Sequence, residues 1–139
     1  MEPSARHKFY TRIEAAPLAA RGFFESVDEH FRQRNNVAVR FTHTNVADMR
    51  LWAAWETKTG KYREQVFATM TWQPRIQAIF ARTKLSPEEF SFLGFTAAVK
   101  PKADKEPQNS EIHLFEEVWR YGSLGFIRAL EAAKLKLTA

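Results

Sequence analysis

The chain has 139 residues, 45% of them hydrophobic and 14% aromatic, with no cysteine and a net charge of +5. This is too apolar for a disordered chain, and a chain of this length buries about two thirds of its unfolded surface without covalent staples. The missing cysteines exclude disulfides, thiolate zinc sites and cysteine nucleophiles, and they suit a reducing compartment.

The first residues, MEPSARHKFYTRIEAAP, contain no apolar run of the secretory kind, and no stretch of about 18 apolar residues occurs anywhere. The expectation is a single α+β domain over 1–139, cytoplasmic and away from membranes. Residues 4–16 place Phe9, Tyr10 and Ile13 at spacings that suit a short helix or a strand equally. From Pro17, a residue suited to a first helical position, the pattern becomes helical. Ala20, Phe24, Val27 and Phe31 fall on one face, while Arg21, Glu25, Asp28, Glu29 and Arg32 take the wet side. Asn35 and Asn36 should end this helix, because Asn tolerates the left-handed conformation of a helix C-cap.

Val37, Val39 and Phe41 alternate with Ala38, Arg40 and Thr42, the pattern of a half-buried strand over 37–43. Residues 45–56 admit a helix capped by Asn45 or Asp48. They also admit a strand with Met49, Leu51, Ala53 and Trp55 on one face. Lys58-Thr59-Gly60-Lys61 reads as a hairpin turn with glycine at positive φ, which favours the strand. Tyr62 to Trp72 is then its partner, with Val66, Ala68, Met70 and Trp72 on one side. Arg63, Gln65, Phe67, Thr69 and Thr71 take the other. Gln73-Pro74 breaks the strand, since proline lacks the N–H a central strand needs, and Arg75 to Arg82 returns.

Ser86-Pro87-Glu88-Glu89 is a capping-box start for a short helix near 87–93, closed by Gly94. Phe95 to Val99 reads as a strand, and the charged, proline-containing stretch 100–110 as an exposed loop. Residues 111–119 fit a strand through Ile112, Leu114 and Val118, or a helix through Ile112, Phe115 and Trp119. Beyond Gly122, the residues Leu124, Ile127, Leu130 and Lys134 mark one face of a C-terminal helix whose closing lysines complement its dipole. Together these elements give an antiparallel sheet of four to six strands, flanked by an N-terminal and a C-terminal amphipathic helix that cover one of its faces.

Motifs for chemistry are scarce. His7, His30, His43 and His113 lie far apart and without metal-ligand spacing, so no metal or other cofactor is expected. Glycine-rich phosphate loops and nucleophile elbows are missing. Asp48, Glu56 and Lys58 resemble, in order, the signature of the PD-(D/E)xK nuclease superfamily, which implies convergence on a divalent ion. An extended strand from 49 to 56 holds the two carboxylates about 25 Å apart, at ~3.3 Å per residue, too far to share one. No catalytic residue is assigned, and the balance is against an enzyme.

The charge distribution carries the remaining signal. Residues 1–48 hold seven Lys/Arg against six Asp/Glu, 49–105 ten against five, and 106–139 four against five. The excess therefore lies in the centre, where Arg50, Trp52, Lys58, Lys61, Arg63, Arg75, Arg82 and Lys84 interleave cations with an aromatic residue. Cations and rings on one sheet suit single-stranded nucleic acid, phosphates meeting the cations and bases stacking on the rings. The competing structural role is that Trp52, Trp55 and Trp72 pack the core. The expected function is a non-enzymatic binding module for nucleic acid or another polyanion through residues 50–84, with an acidic protein as a further candidate partner. Alternatives are a small-ligand or regulatory domain with an aromatic pocket between helices and sheet, and a homodimeric interaction domain.

Overall fold

The computed structural model describes residues 4–42, 47–92, 98–101 and 110–138. The chain runs through α1 (Ala5–Arg12), α2 (Leu18–Arg32), β1 (Val37–Thr42), β2 (Asp48–Glu56), β3 (Tyr62–Gln73) and β4 (Ala78–Thr83). It continues through α3 (Pro87–Phe92), β5 (Ala98–Pro101), β6 (Ser110–Leu114), α4 (Glu116–Tyr121) and α5 (Ser123–Thr138). His43, Asn45, Gly94, residues 95–97 and residues 102–109 lie outside the described residues.

Six strands form one antiparallel sheet in the order β1-β2-β3-β4-β6-β5. The first four make a meander because their connections are short. The β2–β3 turn is the hairpin the sequence predicts: Gly60 takes φ +82°, and Thr57 and Lys61 close it with a 2.8 Å backbone bond. Only glycine adopts that φ without strain. The β3–β4 turn places Gln77 at φ +51°, and its side-chain amide donates to the Pro74 carbonyl at 2.8 Å. Asn36 at φ +63° turns the chain between α2 and β1, the left-handed role its sequence position implies.

Helices cover one face. α1 and α2 lie against β1, and α5 crosses β2 and β3. Phe9, Phe23, Phe24, Phe31, Phe67 and Phe126 are fully buried there with Met49, Leu51, Met70, Ile79 and Ile112. Burying one such ring contributes roughly 1.5–3 kcal/mol, so this layer dominates the stability. These side chains occupy the space between helices and sheet, the region in which the sequence allows an aromatic pocket.

Three local readings change. Asp28, predicted on the wet side of α2, is buried, because Arg6 and Tyr10 of α1 supply its hydrogen bonds. Leu124, predicted on the core face of α5, is exposed; Ile127 and Leu130 face inward as predicted, joined by Phe126, Ala129 and Ala133. Strict alternation also fails in β3. The pairing slips between Leu51/Ala68 and Trp52/Val66, leaving Phe67 as an extra residue in a β-bulge. Phe67 turns to the core beside Phe31, their ring centroids 5.6 Å apart, and the parity of every earlier residue in β3 is inverted. Val66 therefore leaves the core face, and Arg63, paired with Trp55, sits on the same side as Trp72.

The three ambiguous segments resolve differently. Ala5–Arg12 is helix, Asp48–Glu56 is strand, and the third is a strand, Ser110–Leu114, followed by a helix, Glu116–Tyr121. At α3 the capping box forms as predicted: Glu89 N–H donates to the Ser86 hydroxyl and Ser86 N–H to the Glu89 carboxylate. Among the described residues no helix is long and apolar enough to cross a membrane.

Candidate functional site: the open face of the sheet

Cross-strand partners point to the same side of a sheet, so the register identifies what the face away from the helices carries. One row across it is Arg40, Arg50, Thr69, Arg82 and Glu111, on β1, β2, β3, β4 and β6. The neighbouring row is Thr42, Asp48, Thr71, Phe80 and His113. On the other side of the arginine row, Trp52 pairs with Ala38 and Val66.

These residues surround a groove of about 530 Å³, lined by Arg50, Trp52, Thr69, Phe80, Arg82 and Glu111 among others. The volume lies within the range of small-ligand sites, on the order of 300–1,000 Å³. Two rings form walls. Trp52 lies under the Arg40 guanidinium, 4.8 Å from the ring centroid, and Phe80 stacks on His113 at 4.0 Å with 9° between planes.

The arginines do not stand alone. Arg40 is held by Glu64, which raises its pKa through the hydrogen bond, and the same bond lowers that of Glu64. Arg50 meets Asp48, and Arg82 meets Glu111, each at 3.5 Å. Three cations thus face three carboxylates, and the groove is close to neutral. Two buried donors find no acceptor among the described residues: Arg50 Nε and Trp52 Nε1. His113 Nε2 lies 3.4 Å from Glu111 Oε2, outside hydrogen-bond geometry, and is likewise without a hydrogen bond among the described residues. Buried polar atoms in folded proteins nearly always have a partner, so three in one patch mark it as unusual.

Of the eight residues singled out from the sequence, Arg50, Trp52 and Arg82 share this groove. Lys84 follows β4 and lines a smaller adjoining cavity of about 130 Å³. Lys58 and Lys61 lie in the β2–β3 turn, with Arg63 just beyond it on the helix side of the sheet. Arg75 sits in the β3–β4 turn, at the opposite end of β3. Arg63 is thus separated from the turn that carries Arg75 by about 33 Å of strand, at ~3.3 Å per residue over Arg63 to Gln73. The basic stretch is three groups along β3, not one patch.

Trp55 and Trp72 pack against the core, and Trp119 is buried with its indole N–H donated to the Gln77 carbonyl. Trp52 alone of the four takes part in the open face. Sequence reasoning missed Arg40, Thr69, Phe80, Glu111 and His113; only the pairing of distant strands brings them beside Arg50. Asp48 and Glu56 occupy the two ends of β2, so the nuclease-like signature is not assembled. Among the described residues no group of three or more His, Asp or Glu could hold a metal ion. No protein-family model, curated protein or solved structure matches the chain.

Proposed function

We propose that the protein is a non-enzymatic binding module that takes single-stranded nucleic acid, or a polyanion of like chemistry, across the open face of its sheet. The observation that carries this reading is the placement of Arg50, Trp52, Phe80 and Arg82 around one groove on a face that no described helix covers. Phosphates meet the guanidinium groups, and unstacked bases meet the rings at roughly 1–3 kcal/mol each. Lys58, Lys61, Arg63, Arg75 and Lys84 form no ion pair among the described residues. Lys58, Lys61 and Arg75 lie beyond the ends of the groove and Lys84 beside it, where a longer strand would pass, whereas Arg63 is on the helix side of the sheet.

The test is fluorescence anisotropy with labelled single-stranded DNA, RNA and duplex DNA at two salt concentrations. The expected result is single-strand binding that weakens with salt and is lost in an Arg50→Ala/Arg82→Ala variant. Absence of binding at low salt overturns the reading. A small anionic ligand is the second reading, favoured by the carboxylates of Asp48, Glu64 and Glu111, which neutralise the face and blunt attraction for a polymer. It predicts saturable stabilisation by a small acid with little salt dependence.

A further inference from the structure

Thr69 is the cross-strand partner of both Arg50 and Arg82. Strands stand about 4.8 Å apart, so the two arginines flank Thr69 at roughly 10 Å from one another. Both lie on the groove's side of the sheet. The Thr69 hydroxyl bonds no other group among the described residues. Arg50 spends one N–H on Asp48 and Arg82 is ion-paired with Glu111, each at 3.5 Å, and a guanidinium carries five N–H groups. The smaller cavity shares Val66, Thr69 and Arg82 with the groove and adds Lys84, which forms no ion pair among the described residues. Thr69 therefore lies between the two arginine positions, with Lys84 on the adjoining cavity.

The rings are placed to either side of that point. β2 and β4 run in the same direction, since each is antiparallel to β3. Trp52 is two residues beyond Arg50 along that direction, and Phe80 is two residues before Arg82. One ring thus stands about 7 Å to one side of the arginine row, and the other about 7 Å to the opposite side. The order along the groove is ring, anion seat, ring.

Building on the nucleic-acid reading, we infer that the groove is a dinucleotide seat: one internal phosphodiester sits over Thr69 between Arg50 and Arg82, and the bases on its two sides stack on Trp52 and Phe80. A phosphodiester is a monoanion with a nucleoside on each side. The local charge matches it, because Arg50, Arg82 and Lys84 against Asp48 and Glu111 leave a single positive charge. A free mononucleotide fills one ring only. Stacking on Trp52 also gives the ligand access to the side where Arg40 lies.

The experiment is calorimetric titration with a nucleoside monophosphate, a dinucleoside monophosphate and oligonucleotides of four and eight residues. The wild type is compared with Thr69→Val, Phe80→Leu and Lys58→Ala/Lys61→Ala, each checked for an unchanged melting temperature. The expected affinity rises sharply, about five- to a hundredfold, from one nucleotide to two, and only gradually beyond. Thr69→Val and Phe80→Leu abolish the step at two, whereas Lys58→Ala/Lys61→Ala leaves it. A smooth rise with length, equal in Thr69→Val, overturns the dinucleotide seat and leaves the broader reading standing. Failure of every oligonucleotide to bind overturns both.

Discussion

Arg40 lies over the Trp52 ring at 4.8 Å while its guanidinium is held by Glu64. The arrangement answers a problem set by the register, which puts Arg40 directly opposite Arg50. Like charges in a cross-strand pair repel. Arg40 turns toward Glu64 and Trp52, Arg50 turns to Asp48, and the two cations separate. The cost is that Trp52 is partly covered, and its buried indole N–H finds no acceptor among the described residues. A ligand base that stacks there must share the ring with Arg40 or displace it.

Glu64→Gln removes the carboxylate that holds Arg40 in place. Acrylamide quenching of tryptophan fluorescence should rise, because the three other tryptophans are packed against or within the core and only Trp52 changes its cover. The variant also adds a positive charge to the face, so single-stranded oligonucleotides should bind severalfold more tightly. Since the pair is exposed, stability should scarcely move. Unchanged quenching together with unchanged affinity would show that Arg40 does not guard the ring.

Asp28→Ala should destabilise the fold by about 2 kcal/mol. The Asp28 carboxylate is buried and accepts from Arg6 Nε at 2.9 Å, from Arg6 at its second oxygen at 3.0 Å, and from the Tyr10 hydroxyl at 3.1 Å. Removing it leaves the Tyr10 hydroxyl without its acceptor and unfastens α1 from α2. Urea denaturation measures the loss, and a change below about 0.5 kcal/mol would mean that water replaces the carboxylate.

Phe67→Ala should cost more, about 3–5 kcal/mol, because a fully buried ring is lost against Phe31. The bulge gives the substitution a second signature. Val66 and Ala68 hold opposite faces only because Phe67 is extra, so a strand that slips to restore alternation would carry Val66 back into the core. Amide exchange across β2 and β3 separates the outcomes: protection that falls evenly reports a cavity, and protection lost only at residues 62–66 reports a slipped register.

Ser86→Ala should cost about 1 kcal/mol, the usual worth of a helix N-cap. The bonds it breaks are mutual, because Glu89 returns a bond to Ser86 N–H and also holds Lys136 of α5. Burial works to raise the Glu89 pKa, but Lys136 and Ser86 outweigh it and leave it lowered. A lowered folded value means stability present at neutral pH and lost as pH falls through it. The gap between wild type and Ser86→Ala should therefore narrow in acid, as read by thermal melts at pH 7 and pH 3.

Much of this fold was legible because its signals are local. Gly60 in the hairpin, Asn36 after α2 and Ser86 with Glu89 each solve a backbone problem within four residues, and all three stand where the pattern placed them. What escaped depends on partners distant in sequence. Asp28 looks like a surface residue until α1 folds back with Arg6 and Tyr10, and the bulge at Phe67 is visible only through its pairing with β2. The site follows the same rule. Arg50 and Trp52 share a face by simple alternation, whereas Thr69, Phe80 and Glu111 join them only through three further strand pairings.

Tyr10 sets the response to alkali. Burial raises its pKa above the ordinary tyrosine value, and the neighbouring Asp28 charge and the hydrogen bond to it push the same way. An acid whose folded pKa is raised favours its neutral form in the folded state, so the contribution is complete below the unfolded value, about 10, and is lost as pH rises beyond it. The loss is at most about 1.4 kcal/mol for each pH unit above 10, less what solvent screens at a half-buried ring. Tyr10→Phe has no proton to lose. At pH 8 it should be the less stable protein by about 1 kcal/mol, for want of the bond to Asp28. At pH 11 the difference should shrink or reverse, because only the wild type must keep a phenol neutral against the solution. Urea denaturation of both proteins at the two pH values decides it, and a constant difference would mean that Tyr10 ionises as freely in the folded chain as in the unfolded one.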